Sequence, residues 1–174
     1  MPKINKIVST YSAHLTQPWL LVDSAKQHLK VMDNTEECAN YTISTSRYGL
    51  GCQQDSNKTP AGAHKIAEKI GGEGEIYEIY KGRQSTGEVA EVIHTAQQSD
   101  EDLILSRIMW LEGLEDGQNC GQGVDSYQRY IYIHGTAEEG LLGVPASHGC
   151  VRMSNKDVIE LYDLVSEGTF VYIK

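Results

Sequence analysis

A histidine and a cysteine, two residue types that can share a proton, lie 16 positions apart in the block YIYIHGTAEEGLLGVPASHGCVRMSNKD, residues 130 to 157. His134 is followed by Gly135, and Cys150 ends the run Ser147-His148-Gly149-Cys150. A free thiol, with a pKa of about 8.5, is mostly protonated at neutral pH, so a nucleophilic cysteine needs a nearby base or cation. His148 is only two residues from Cys150, too local to dictate hydrogen-bond geometry, whereas His134 can approach from a strand end across the fold. A third group usually orients the imidazole. The Gly135 carbonyl is the candidate, because no acid sits beside His134. Gly149 permits a turn that brings backbone N–H groups toward a carbonyl oxygen under attack. Arg152, on the Cys150 face of an extended segment, suits a substrate carboxylate through a bidentate contact.

Other readings of these residues stand beside this one. His134, His148 and Cys150 could ligate zinc, although H-x-C is an unusual ligand spacing and no fourth ligand is evident. His14, His28, His64 and His94 lie among polar neighbours and read as solvated. The acidic run Asp100-Glu101-Asp102 reads as a solvated loop. Cys38, Cys52 and Cys120 form no C-x-x-C pair and read as reduced packing residues.

The elements that must position the pair are mostly short β runs. WLLVD (19–23) and HLKVM (28–32) flank a turn-prone segment and form a first hairpin, with CANYTISTS (38–46) as a third strand. RYGLGCQQDSNKTPAG is a loop. HKIAEKI and EIYEIYKG, on either side of Gly71-Gly72, suggest another hairpin. The polar stretch from Gly82 to Asp102 reads as a peripheral loop, LILSRIMWL as a strand, and YQRYIYI as a strand with Tyr130, Tyr132 and His134 on one face. One helix is clear. Ser154 caps it, Asp157 is the acidic partner, Val158, Leu161, Tyr162 and Val165 form its apolar stripe, and Gly168 stops it. TFVYI is a final strand.

Size and charge bound the rest. A chain of 174 residues fits one domain. Fifteen Lys and Arg against 24 Asp and Glu give a net charge of −9, which disfavours nucleic acid and anionic lipid as partners. No run approaches the roughly 18 to 20 apolar residues of a membrane span. The opening MPKINKIVSTYSAHLTQPWLLVD lacks the apolar core of a secretory leader, so the chain as given reads as cytoplasmic, or periplasmic if a leader has been removed.

HGT at 134–136 and SHGCVRMSN at 147–155, with a Gly- and Pro-containing connection between them, resemble the signature of the L,D-transpeptidase catalytic domain, the YkuD family. KQHLKVMDN (26–34), TISTS (42–46) and KTPAG (58–62) resemble that family's early hairpin, next strand and TP-x-G turn. The resemblance implies a mostly β, sandwich-like fold with a short helix after the cysteine motif. It would occupy 19–174, after an N-terminal extension at 1–18, with a polar insert near 72–102. It implies metal-independent chemistry with no cofactor: Cys150 as nucleophile, His134 as base and the Gly135 carbonyl as its orienter. Ser147, His148 and Gly149 would shape the oxyanion region, and Arg152 would hold substrate. The implied substrate is a peptidoglycan stem peptide, cut between its third residue, usually diaminopimelate, and a terminal D-Ala. Carbapenem-type β-lactams would acylate the thiol. The lack of a leader favours an L,D-carboxypeptidase of recycled muropeptides over a cross-linking or D-amino-acid-exchanging transpeptidase. A non-catalytic peptidoglycan-binding module on the same fold is the distant alternative.

Overall fold

Alternating apolar residues in short runs, broken by Gly, Asn and Asp turns, fold into ten strands and two helices in a computed structural model that describes residues 3–174. In chain order these are α1 (Ile4–Thr10), β1 (Trp19–Asp23), β2 (His28–Asp33), β3 (Glu36–Ser44), β4 (Gly62–Ile70), β5 (Glu78–Lys81), β6 (Gln84–Val89), β7 (Ile104–Gly113), β8 (Tyr132–Thr136), β9 (Val151–Met153), α2 (Asn155–Leu164) and β10 (Phe170–Ile173). The sheet runs β4-β10-β1-β2-β3-β9-β8-β7-β5-β6, and an additional β4–β7 pairing closes it on itself. This is the mostly β, sandwich-like fold expected from the sequence, with the helix directly after the cysteine motif.

Inward-facing residues make one core. Leu20, Val22, Leu29, Val31, Ile43, Ile66, Met109, Leu111, Ile133, Val151, Met153 and Val171 pack with Val158, Leu161 and Val165, which α2 and its C-cap insert between the strands. The Ser154 hydroxyl accepts from the Asp157 N–H at 3.1 Å, the cap anticipated for this helix. A second cluster covers the outside of β1 and β10, where α1 docks Ile7 against Trp19, Leu21 and Phe170. Burying Ile7 fully contributes about 1.5 to 3 kcal/mol, enough to hold a seven-residue helix that would not persist alone. Among the described residues no helix is long and apolar enough to cross a membrane.

Three expectations are corrected. First, β4 and β5 do not pair across Gly71-Gly72; each pairs with β7, β4 along Ile108–Gly113 and β5 along Ile104 and Leu105. The reason lies in β7, which is bulged between Leu105 and Ile108, with Ser106 at φ +65°, so that two partners share one side of it. Second, the polar stretch is not all loop. β5 and β6 form a hairpin whose two-residue turn, Gly82 at φ +55° and Arg83 at φ +66°, has the paired left-handed geometry that matches strand twist. Third, YQRYIYI does not enter the sheet until Tyr132. Arg129 N–H bonds Asp125 O, Ile131 N–H bonds Ser126 O, and Tyr130 sits at φ +56°, a chain of turns that keeps 125–130 out of the ladder until Ile131 O accepts from Leu111 N–H of β7.

Candidate active site

The parallel pairing of β8 with β9 brings the two halves of the motif together. Ile133 faces Val151 and His134 faces Arg152 across the ladder, so one face carries Tyr132, His134, Cys150 and Arg152 while Ile133, Val151 and Met153 enter the core. Gly149, at φ +130°, turns the chain into β9; an added Cβ there would also touch Ile131 and the Lys58 backbone. Ser147 staples that turn from within. Its hydroxyl donates to Cys150 O at 2.6 Å and accepts from Gly149 N–H at 3.3 Å.

His134 is buried and donates from Nδ1 to Gly135 O at 2.7 Å. A carbonyl only accepts, so Nδ1 carries the proton and Nε2 keeps the lone pair. Burial pushes the His134 pKa down, partly opposed by the Asp102 charge and the Gly135 carbonyl. Gly135 must be glycine for a steric reason: an added Cβ would lie 2.5 Å from Asn155 Oδ1 and 2.7 Å from the Leu105 carbonyl oxygen.

Cys150 is half-buried. Its Sγ accepts from Tyr132 N–H at 3.3 Å and donates to Tyr130 O at 3.4 Å. Burial pushes the thiol up to about 12, although the Tyr132 N–H and the Arg152 and Arg129 charges pull it back. Both shifts favour the uncharged forms, a thiol on Cys150 and an imidazole on His134. Tyr130, the residue in the left-handed region, is the one that turns its carbonyl toward the sulfur.

Arg152 shares the Cys150 face, as its motif position suggested, but not the open side of the site. It is 1 % exposed, with Nη1 on Glu138 Oε2 and Nη2 on Asp102 Oδ1, both at 2.6 Å. Its two terminal nitrogens are given to internal carboxylates rather than turned to the open side of the site. Asp102 keeps the solvent exposure expected of its loop, with 36 % of its side chain accessible, and also reaches into the site. It accepts from Arg152 and faces His148 Nδ1 at 3.1 Å. Burial pushes its carboxyl up, but Arg152, His134 and His148 together outweigh that and hold it below its ordinary value.

His64, also expected in solvent, is fully buried between Gly62 O at 3.1 Å and Ser126 Oγ at 2.9 Å, and burial lowers its pKa to about 4. Its run HKIAEKI alternates, and the buried half of that alternation begins at Ala63 and His64. Among the described residues no three His, Cys, Asp or Glu side chains converge as a metal cage. Sequence reasoning also missed the aromatic floor beside the thiol, where Tyr80, Ile108, Trp110 and Tyr132 cluster against Cys150. Trp110 stacks on Tyr127 with centroids 4.0 Å apart, and Arg83 lies over the Trp110 ring at 4.7 Å. The signal available for it was the alternation of aromatics across β7 and β8, visible only once those strands are paired.

Comparison with known proteins agrees with this geometry. The YkuD family, the L,D-transpeptidase catalytic domain, matches residues 17–173. The YkuD protein of Bacillus subtilis (strain 168) is 54 % identical over 46 residues, 26 % of this chain and 28 % of that protein; the YkuD protein of Bacillus licheniformis is 49 % identical over the same shares. Among solved structures, L,D-transpeptidase 3 from Mycobacterium tuberculosis, in complex with a faropenem-derived adduct, superposes with a TM-score of 0.55 at 16 % identity over 90 % of this chain and 60 % of that one. An L,D-transpeptidase from Mycobacterium smegmatis gives 0.52 at 17 % identity, over 90 % and 58 %. The matched region spans under a third of the Bacillus proteins and about 60 % of the mycobacterial chains. The fold is shared with the solved structures and the family match runs from before the first strand to the last, so this chain belongs to the YkuD family of L,D-transpeptidase catalytic domains.

Proposed function

We propose that the chain cleaves a peptidoglycan stem peptide through an acyl-enzyme on Cys150. The observation that carries this reading is the fixed tautomer of His134: with Nδ1–H committed to the Gly135 carbonyl, Nε2 is the one ring nitrogen able to take a proton. In the first half-reaction Sγ bonds to the carbonyl carbon of the scissile amide while the thiol proton passes to Nε2. The tetrahedral oxyanion faces the 147–150 turn, where the Ser147 and Gly149 N–H groups already donate to Thr45 O and Ser147 Oγ and those of His148 and Cys150 are left for it. Collapse breaks the C–N bond, Nε2 returns the proton to the departing amine of D-Ala, and a thioester remains. A neutral starting pair suits this sequence, because sulfur becomes charged only as the proton leaves and the buried site never holds a resting thiolate.

For the second half-reaction the acceptor we favour is water, which makes the enzyme an L,D-carboxypeptidase acting on muropeptide tetrapeptides, in a cytoplasmic recycling role. A chain of net charge −9 is repelled by an extended polyanion far more than by one released muropeptide. Transpeptidation is the competing outcome, with an amine attacking the same thioester. Incubating the protein with disaccharide tetrapeptide separates them. Tripeptide plus free D-Ala is expected; accumulation of dimers would overturn the hydrolase reading, and Cys150→Ala should yield neither. A carbapenem presents a strained amide to the same thiol and should add its mass to Cys150. Unaltered protein would count against an accessible nucleophile.

A further inference from the structure

The site needs a cation for an anionic peptide, and the sequence nominated Arg152, whose terminal nitrogens are held by Asp102 and Glu138. Arg129, also near the thiol, donates to the carbonyls of Lys58 at 2.6 Å and Gly51 at 3.2 Å and is tied to the loop it braces. Arg83 differs from both. It sits at the tip of the β5–β6 hairpin with its guanidinium over Trp110 at 4.7 Å and Tyr130 at 5.1 Å. Among the described residues it has no carboxylate partner; its hydrogen bond goes to Tyr132 Oη at 3.2 Å. Tyr132 is the residue whose backbone N–H contacts Cys150 Sγ, so one residue meets the cation with its hydroxyl and the cysteine with its main chain.

Two further features single this position out. Arg83 adopts φ +66°, at a turn position where glycine is free of strain and an L side chain is not. It also borders a cavity of about 640 Å³ whose lining includes neither Cys150 nor His134 and whose other charged residues, Glu73, Glu75 and Glu78, repel a carboxylate, so an anion is received on the Trp110 and Tyr130 side of Arg83 and not in that cavity. Arg83 is the one cation lining that cavity. A guanidinium spread over two aromatic rings keeps its in-plane N–H groups directed outward, the arrangement for accepting a carboxylate edge-on.

Resting on the cleavage reading above, we infer that Arg83 is the specificity-determining cation of the site, binding a carboxylate of the substrate peptide as its scissile bond meets Cys150. Two carboxylates of a tetrapeptide donor belong to the residues that flank the scissile bond: the one on the departing terminal residue and the one on the side chain of the third residue.

The test uses Cys150→Ala to read binding without turnover, alone and combined with Arg83→Gly, a change that suits the turn's φ and preserves the hairpin. Calorimetry compares the tetrapeptide with two analogues, one amidated at the terminal carboxylate and one at the side-chain carboxylate. With Arg83 present, amidation at one of the two positions should weaken binding roughly tenfold, the size expected for losing a charge-assisted pair, and that position identifies the carboxylate. With Arg83→Gly the acid should bind as weakly as its amide, and Arg83→Lys should recover part of the difference. If the acid-to-amide ratio is unchanged by Arg83→Gly at both positions, or no peptide binds Cys150→Ala at millimolar concentration, the assignment is wrong. Turnover by the intact enzyme is scored separately: binding that depends on Arg83 without any cleavage would remove the proposed reaction and leave the assignment standing.

Discussion

Asp102 and Arg152 meet at 2.6 Å although fifty positions of chain separate them, and the pair forms directly beside His134. Asp102 thus charges the surroundings of His134 and also helps push the Cys150 thiol up. Replacing it with Asn removes the larger of the two neighbouring influences that raise the His134 pKa, leaving the Gly135 carbonyl, which also raises it, and Arg152, which lowers it. The acid limb of kcat/KM, set by protonation of His134, should then move to lower pH than in the unmodified enzyme. A pH profile of D-Ala release measures this, and a limb that stays in place or rises would contradict the electrostatic role given to Asp102.

Cys150 should behave as a protonated thiol in the free enzyme. With its pKa pushed up to about 12, alkylation by iodoacetamide should keep accelerating as pH rises beyond 9, where a free thiol near 8.5 has levelled off. Peptide-resolved mass spectrometry isolates Cys150 from Cys38, which is exposed. A plateau near pH 8 would show that a thiolate is already formed at rest.

Gly135→Ala should damage fold and site together. The new methyl would meet a backbone oxygen at 2.7 Å as well as Asn155 Oδ1 at 2.5 Å, and a backbone atom in a paired strand has little room to yield. Overpacking of this kind costs about 1 to 3 kcal/mol. Denaturant unfolding gives that loss, and activity should fall further than stability because the orienting carbonyl of His134 belongs to the same residue.

His64 predicts an acid-sensitive fold distinct from the acid limb of activity. Its folded pKa of about 4 lies below the ordinary value of 6.5, so the unfolded chain binds the extra proton first as pH falls. The contribution is complete above about 6.5, is lost progressively down to about 4, and amounts to about 3 kcal/mol. His64→Gln should flatten the stability curve across that window, measured by urea unfolding at a series of pH values. An unchanged slope would mean that His64 does not set it.

The reactive centre was more legible in the sequence than its support. HGT, SHGCVR and the Ser154-capped helix are local: strand period, turn glycine and cap each act within a few residues of the atoms they position. WLLVD and HLKVM likewise carry their own turn. Asp102 could not be read this way, because its partner Arg152 is brought to it by the crossing of a polar loop over the β8–β9 edge. Arg83 was hidden for another reason. Its neighbours Trp110, Tyr130 and Tyr132 come from β7, the turns before β8 and the start of β8, and the bulge at Ser106 lets the β5–β6 hairpin lie over them. His64 looked solvated because its sequence neighbours are polar, whereas its contacts are Gly62 and Ser126.

β10 lies between β1, with which it runs parallel, and β4, with which it runs antiparallel. During synthesis both neighbours leave the ribosome long before residues 170–173 exist, and each carries an unpaired backbone edge until then. The last strand acts as a keystone: the ring cannot close, nor the inner core seal around α2, before it arrives. A nascent or truncated chain ending at Gly168 would expose Leu20, Val22 and Ile66 and two sticky strand edges at once. It should depend on chaperones and aggregate, while its catalytic motif is already fully translated.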